Sequence, residues 1–423
     1  MKRTWELFLK EAVIVIFCAI AGVIALAATY FIPQGKMWDK VYESSIVLHN
    51  EGLGAHIWQN IEETMLDVYT DGLLLNVSYT ETKDGIRDIL LDTYVEVDGR
   101  NPMESFYEVS ALSNDEYIVR NYGRYWHGYQ IILRPLLCFF TYSDIRQINM
   151  ILQLVLVFLL ICILAGSKDR IFIIPFGGMY LFMCPISLFS SLQFSPCFYI
   201  MMLTLIVLFA CKDVLNDKRT NYLFLVAGIL TAYFDLLTYP LITLGIPLLA
   251  YLGLDYKWIS DDRRKGWKQV FLLTASWCLG YGGMWSAKWV VTTILTGENI
   301  IYDAFEKIKF RSGYFSVKHS YYDTLKLNLN VCNRKVLMLA AVCIGIYILT
   351  VRVKDHIGVD RGLLPLVGML LMVSLYPFGW YFFTKNHSSS HSYFTWRELA
   401  ISVFGILMIG VVRIRQFRDS FSA

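Results

Sequence analysis

The chain is 423 residues long, 56% apolar, 15% aromatic and only 17% charged, with a net charge of +3. Its apolar residues come in blocks of membrane-spanning length, not short amphipathic stripes, which excludes a soluble globular domain and points to an all-α polytopic membrane protein. The basic residues sit in turns between the blocks, so the small positive excess gives no ground for a nucleic-acid partner.

Lipid offers backbone groups no partner, so a crossing segment must be helical and needs about 20 mostly apolar residues; about ten blocks meet that need. The first covers residues 12–33, and the others centre near residues 155, 180, 203, 228, 246, 280, 343, 372 and 404. The first block follows "MKR" and contains "ALAAT", as a cleavable signal would. Its apolar core runs to about 20 residues, beyond the roughly 7–15 of a cleaved signal, and so reads as a retained anchor.

Residues 34–128 form a long loop rich in aromatic and aliphatic side chains, and "AHIWQNIEETMLDVYTDGLLLNVSYT" within it predicts interfacial helices lying along the membrane surface. The remaining bundle, 129–423, completes one membrane-embedded domain over 1–423 and carries polar loops near 295–335 and 384–397. Lys and Arg cluster in alternate connections: Lys2, Arg3 and Lys10, then Lys168 and Arg170, Lys212 to Arg219, Arg263 to Lys268, Arg352 to Arg361, and Arg413 to Arg418. The turns "SSLQFSP" and "YFDLLTYP" between them contain neither residue. The positive-inside bias therefore predicts a plasma-membrane protein with both termini cytoplasmic and the three polar loops outside.

Several chemistries find no support. The nine cysteines fall mostly within apolar blocks, with none from 34 to 128, so no disulfide framework or CxxC pair exists. The glycines of "GYGGMW" lack the strand, helix and later acid of a dinucleotide site, and there is no Walker loop. The polar material outside the membrane is where chemistry is expected.

In "LDVYTDG", Asp67 and Asp71 are four residues apart and share a face if helical, a constellation suited to a general base or simply to a helix cap. "NYGRYWHGYQIILRPLL" sets Arg124, His127 and Arg134 among four aromatic rings. Rings alone fit an interfacial belt; cations on the outer side point to an anionic partner such as a lipid phosphate. Asp235 lies in "YFDLLTYP" without a basic neighbour and is expected either to face a polar cavity as a substrate contact or, the preferred reading, to form a structural ion pair with an outer arginine. Lys288 stands in the outer half of a Trp-rich block, where it either snorkels to the interface or faces a phosphate. Residues 302–330 again mix Lys307, Lys309, Arg311, Lys318 and His319 with aromatics, fitting anionic headgroups or a glycan.

The last polar loop, "TKNHSSSHSYFTWR", carries Lys385, His387, His391 and Arg397. It assembles a cationic, hydrogen-bonding patch at the level of lipid phosphates, more than a hydrophilic turn requires. His387 and His391 share a helical face that also suits a divalent metal, although no acid in the motif completes a set. Asn76 and Asn386 open N-x-S sequons.

An anchor helix, a long loop with interfacial helices and acids, about ten spans and a late polar loop with His391 and Arg397 together resemble the membrane-embedded glycosyltransferases of the GT-C superfamily. The resemblance implies an inverting transfer from a polyprenyl-phosphate-linked sugar to a glycan or lipid-linked acceptor at the bilayer. It implies Asp71 as catalytic base, with Asp67 second and Asp39 nearer the position usual in the superfamily. Arg397 and His391 are implied as holders of the donor phosphate, with Arg124, His127 and Arg134 as further contacts. Alternatives are a glycan polymerase or ligase, differing in donor, and a lipid-linked saccharide flippase, which needs a polar groove through the full membrane depth.

Overall fold

The computed structural model describes residues 2–81, 84–254, 263–314, 319–332 and 364–422. The span expected near residue 343, the basic turn with Arg352, Lys354 and Arg361, and Lys318 lie outside the described residues. The described chain is mostly helical, with one two-stranded ribbon.

Helix α1 (Lys2–Thr29) begins well before the apolar block, because its short polar lead-in contains no helix breaker, and stops ahead of Pro33, with Thr29 donating its hydroxyl to the Leu26 carbonyl at 2.8 Å. The first long loop then folds into α2 (Trp38–Glu51), α3 (Val68–Tyr79), α4 (Ile86–Leu91) and α5 (Pro102–Ala111). Strand β1 (Tyr94–Glu96) pairs antiparallel with β2 (Ile118–Arg120), Val95 opposite Val119. These elements share a core of Val41, Leu48, Leu66, Leu74, Leu75, Met103 and Phe106. The interfacial reading does not hold for α3: "LLLNVS" is buried on every side, as expected of a helix that is apolar all round. Its polar Asn76 pays its way by bridging the carbonyls of Val95 and Pro102 and accepting the Val95 amide.

Past α6 (Gln130–Leu137) comes α7 (Tyr142–Ala165), opened by a capping box between Thr141 and Asp144. Helices α8 (Ile173–Phe182) and α9 (Pro185–Ser190) divide the block expected near residue 180, because Cys184 takes a left-handed conformation ahead of Pro185. Next come α10 (Ser195–Ala210), α11 (Asp217–Phe234), α12 (Ile242–Leu254) and α13 (Arg263–Thr296). Gly228 of α11 and Gly280 of α13 let these two helices touch backbone to backbone: a Cβ on Gly228 meets the Trp277 carbonyl and one on Gly280 meets the Leu225 carbonyl.

The chain continues through α14 (Ile300–Ser312), α15 (Tyr321–Val331), α16 (Leu364–Ser374), α17 (Tyr376–Phe383), the short α18 (Lys385–Ser390) and α19 (Ser392–Thr395), and α20 (Ala400–Ser422). Four helical stretches among the described residues are long and apolar enough to cross a membrane: Trp5–Thr29, Tyr142–Ala165, Leu192–Ala210 and Leu364–Phe383. Apolar Arg170–Phe182 and Ile242–Leu254 are shorter. Only 28% of the apolar window in each of the first two is buried, so most of their apolar surface is left for lipid.

Candidate functional site

Polar side chains from four distant segments form one closed circuit of contacts, the polar chamber. It begins at Asp67, the N-cap of α3, whose Oδ1 accepts the Thr70 amide at 3.1 Å. Its Oδ2 is buried and makes no hydrogen bond of ordinary geometry. Burial pushes this carboxyl above the usual carboxylate range, with Thr70 and the nearby Tyr393 hydroxyl pulling the other way. On one side Tyr69, pushed up by burial and then by Tyr122 and Asp67, connects the acid to the ribbon end at Glu96.

Tyr122 packs 5.3 Å from the Tyr125 ring, and Tyr125 accepts a hydrogen bond from Arg311 of α14. Arg311 lies within electrostatic reach of His391 and His387, whose rings are 4.8 Å apart. His391 is in turn 6.1 Å from the Tyr393 ring, which returns to Asp67.

The charges in this circuit are unequal. Burial, then Arg311, holds the His391 imidazole down to about 4, and burial and its neighbours hold His387 lower than usual as well. Both histidines are therefore neutral near pH 7, and the positive charge of the chamber resides on arginine. Arg124 donates to Asp303 at 2.7 Å and keeps its Nε unpartnered. Arg311 has no carboxylate partner among the described residues; it donates to a phenol and lies 5.4 Å from that ring centre.

The other expected site residues stand behind the chamber as anchors. Asp71 accepts the Tyr142 hydroxyl at 2.5 Å and the amides of Leu192 and Gln193 at 2.9 and 2.8 Å. Burial pushes it up to about 7, against the pull of Arg146 and these donors, but both of its oxygens are committed. Arg397 is wholly buried, donating to the carbonyls of Met183, Tyr393 and Glu63 and to Ser187 Oγ at 2.6 Å. Arg134 donates to the carbonyls of Thr29, Ser78 and Ile32 and covers the Tyr30 ring. Lys288 neither snorkels nor faces the chamber: it is fully buried and bonded to Asp92 at 2.7 Å and the Leu90 carbonyl at 2.9 Å.

The ion pair expected for Asp235 is not formed. Its carboxylate accepts the Thr238 amide and hydroxyl, supporting the left-handed turn at Leu237, and these local donors replace an arginine. His127, also left-handed, meets the Tyr129 hydroxyl through Nδ1 at 2.8 Å, and its Nε2 is without a hydrogen-bond partner. His387 Nε2 donates to the Leu237 carbonyl at 2.8 Å, which leaves Nδ1 as its lone-pair nitrogen. No cluster of three or more His, Cys, Asp or Glu side chains is arranged for a metal among the described residues. Of the expected residues, Asp67, Arg124, His387 and His391 meet at the chamber; Arg311, Tyr125 and Tyr393 complete it. Arg311 stood in an aromatic, basic segment, and that composition was its only sequence signal.

Beside the chamber, an apolar cavity of about 410 Å³ opens between α6, α7, α10 and α11. Leu192 and Gln193, whose amides hold Asp71, form part of its wall, and the half-exposed Ile132, Leu152 and Leu203 form its mouth.

No family model matches the chain, and no curated protein or solved structure matches it either.

Proposed function

We propose that this is a membrane-embedded, inverting glycosyltransferase that moves a sugar from a polyprenyl-phosphate carrier to a hydroxyl of a glycan or lipid-linked acceptor. The observation that carries this reading is a buried carboxylate, Asp67, whose Oδ2 has only the Tyr393 hydroxyl near it, sharing a chamber with an arginine that has no carboxylate partner among the described residues. A base and an anion holder facing each other fit a displacement in which one oxygen loses a proton while another gains charge. Asp67 takes the proton of the acceptor hydroxyl, that oxygen bonds to the sugar's C1, and the C1–O bond breaks with its electron pair going to the carrier phosphate. Arg311 and Arg124 neutralise the phosphate, and the neutral His391 hydrogen-bonds it. Such a guanidinium pair suits a phosphate better than lysine would, because its forked donors match the oxygens. The lateral apolar cavity takes the isoprenoid chain. The chamber faces the outside, with both termini in the cytoplasm and about ten crossings in all.

The placing of the base differs from what the GT-C resemblance implied. Asp71 holds three donors, two of them backbone amides, and acts as a scaffold for the turn at Leu192, so the proton acceptor is Asp67. The test is a transfer assay with purified protein and a panel of polyprenyl-phosphate sugars. Asp67→Asn is expected to lower turnover about 10²- to 10⁴-fold without loss of folding. Arg311→Ala is expected to cost a similar factor. Wild-type rates in Asp67→Asn rule the assignment out.

A further inference from the structure

A second cavity, of about 820 Å³, lies between the loop 52–66 and the beginning of α7, and the proposed chemistry does not use it. Its polar lining is Glu51, His56, Gln59, Asn60, Glu62 and Arg146. The loop is irregular but firmly held. Leu66 N–H bonds the Ala55 carbonyl at 2.8 Å, Ile57 N–H bonds the Thr64 carbonyl at 3.2 Å, and the Thr64 hydroxyl reaches the carbonyls of Ile61 and Trp58. Asn60 is left-handed at φ 65°, a conformation retained here without glycine.

The chemistry of the lining selects the ligand. Glu51 receives a bidentate bond from Arg146 at 2.5 and 2.9 Å, which holds that pair flat on the floor. Arg146 keeps a buried Nε without a partner, and His56 stands 3.7 Å from Glu62. Carboxylates therefore outnumber guanidinium groups, which disfavours a phosphate or other anion. Planar carboxylates, side-chain amides and an imidazole bind paired hydroxyls, and the apolar Leu53 and Ile57 beside them can take the C–H face of a pyranose. We propose that this cleft binds a neutral saccharide chain.

The cleft is also wired to the chamber. Leu66, in its wall, precedes Asp67, and Arg146 covers the ring of Tyr142, which donates to Asp71. A saccharide seated here lies against Leu66, the residue before the base. The cleft is thus the subsite for the part of the acceptor beyond the reacting hydroxyl; this role, unlike saccharide binding itself, rests on the transferase reading.

The experiment uses the full chain purified in detergent, with maltotetraose, chitotetraose and an anionic hyaluronan tetrasaccharide as probes, followed by saturation-transfer NMR. At least one neutral tetrasaccharide is expected to bind, with hyaluronan at least about ten-fold weaker. Gln59→Ala and Glu62→Gln, both at exposed side chains of the lining, are expected to weaken binding about ten-fold or more at unchanged unfolding temperature, and Asp67→Asn to leave it intact. The proposal is overturned if neither neutral probe binds, if binding survives both cleft substitutions, or if Arg311→Ala abolishes it while the cleft variants do not. Intact saccharide binding without transfer sinks the transferase reading alone; transfer without cleft binding sinks the cleft alone.

Discussion

Replacing Lys288 with Met exposes the energetics of the anchor beneath the chamber. The ammonium is fully buried, bonded to Asp92 and to a backbone carbonyl, and lies 5.6 Å from the Trp126 ring centre. Asp92 retains only the Gln130 amide, at 3.1 Å, once the lysine is gone. Removing one partner of a buried pair costs about 3–5 kcal/mol, because the remaining charge has lost its solvent and its counterion. At about 1 °C per kcal/mol for a chain of this size, the unfolding midpoint drops by about 3–6 °C.

The loss depends on pH with a definite sign. Burial already pushes Asp92 up to about 7 while Lys288 pulls it down, so the variant titrates higher still. A carboxyl raised in the folded state contributes stability at low pH, and that contribution is lost as pH rises through its folded value. Lys288→Met is therefore expected to be closest to wild type at pH 6 and furthest at pH 8.5, by thiol-reactive thermal unfolding in detergent. Adding Asp92→Asn keeps the acceptor for Gln130, suits the left-handed backbone at that position and removes the charge, so the double variant recovers most of the loss. A single variant within about 1 °C of wild type at pH 8.5, or a double variant no better than the single, refutes the buried-pair account.

Asp71→Ala leaves the Tyr142 hydroxyl and two backbone amides without an acceptor, at about 1–3 kcal/mol each; unfolding temperature falls while turnover per folded molecule is largely kept, and Asp71→Asn falls less. Gly280→Val drives a side chain into the Leu225 carbonyl and separates α11 from α13; size-exclusion chromatography in detergent is expected to show loss of the monodisperse peak. Transfer rate is expected to rise with pH as Asp67 ionises, with an inflection above that of an exposed carboxyl at about 4. His391→Gln, which keeps a neutral hydrogen-bonding group, retains more activity than His391→Leu and leaves that inflection in place.

The membrane class was legible because uninterrupted apolar blocks have few alternative homes. The site was legible only as neighbourhoods. The spacing of Asp67 and Asp71 drew both into view, yet which oxygen stays free is decided by the amides of Leu192 and Gln193, 121 residues beyond Asp71 for the first. Lys288 is matched to Asp92 across 196 residues, and no local pattern announces such a partner. Arg397 looked like a phosphate holder because most of its carbonyl cage comes from two distant segments, at Met183 and Glu63. Arg311 was hidden for the opposite reason, being one cation among several in a segment whose inward face only the packing of α14 defines.

The Tyr233 ring fills the space a side chain at either Gly22 or Gly128 would need, and its hydroxyl donates to the Gly22 carbonyl at 2.8 Å. Its own carbonyl accepts the Gly128 amide at 2.9 Å. A chain emerging from the ribosome thus carries its first helix through 211 further residues before the clasp for it has been synthesised. During that interval the early helix and the segment leading to α6 lack this clasp, and the polar chamber can close only when the late loop bearing His391 arrives.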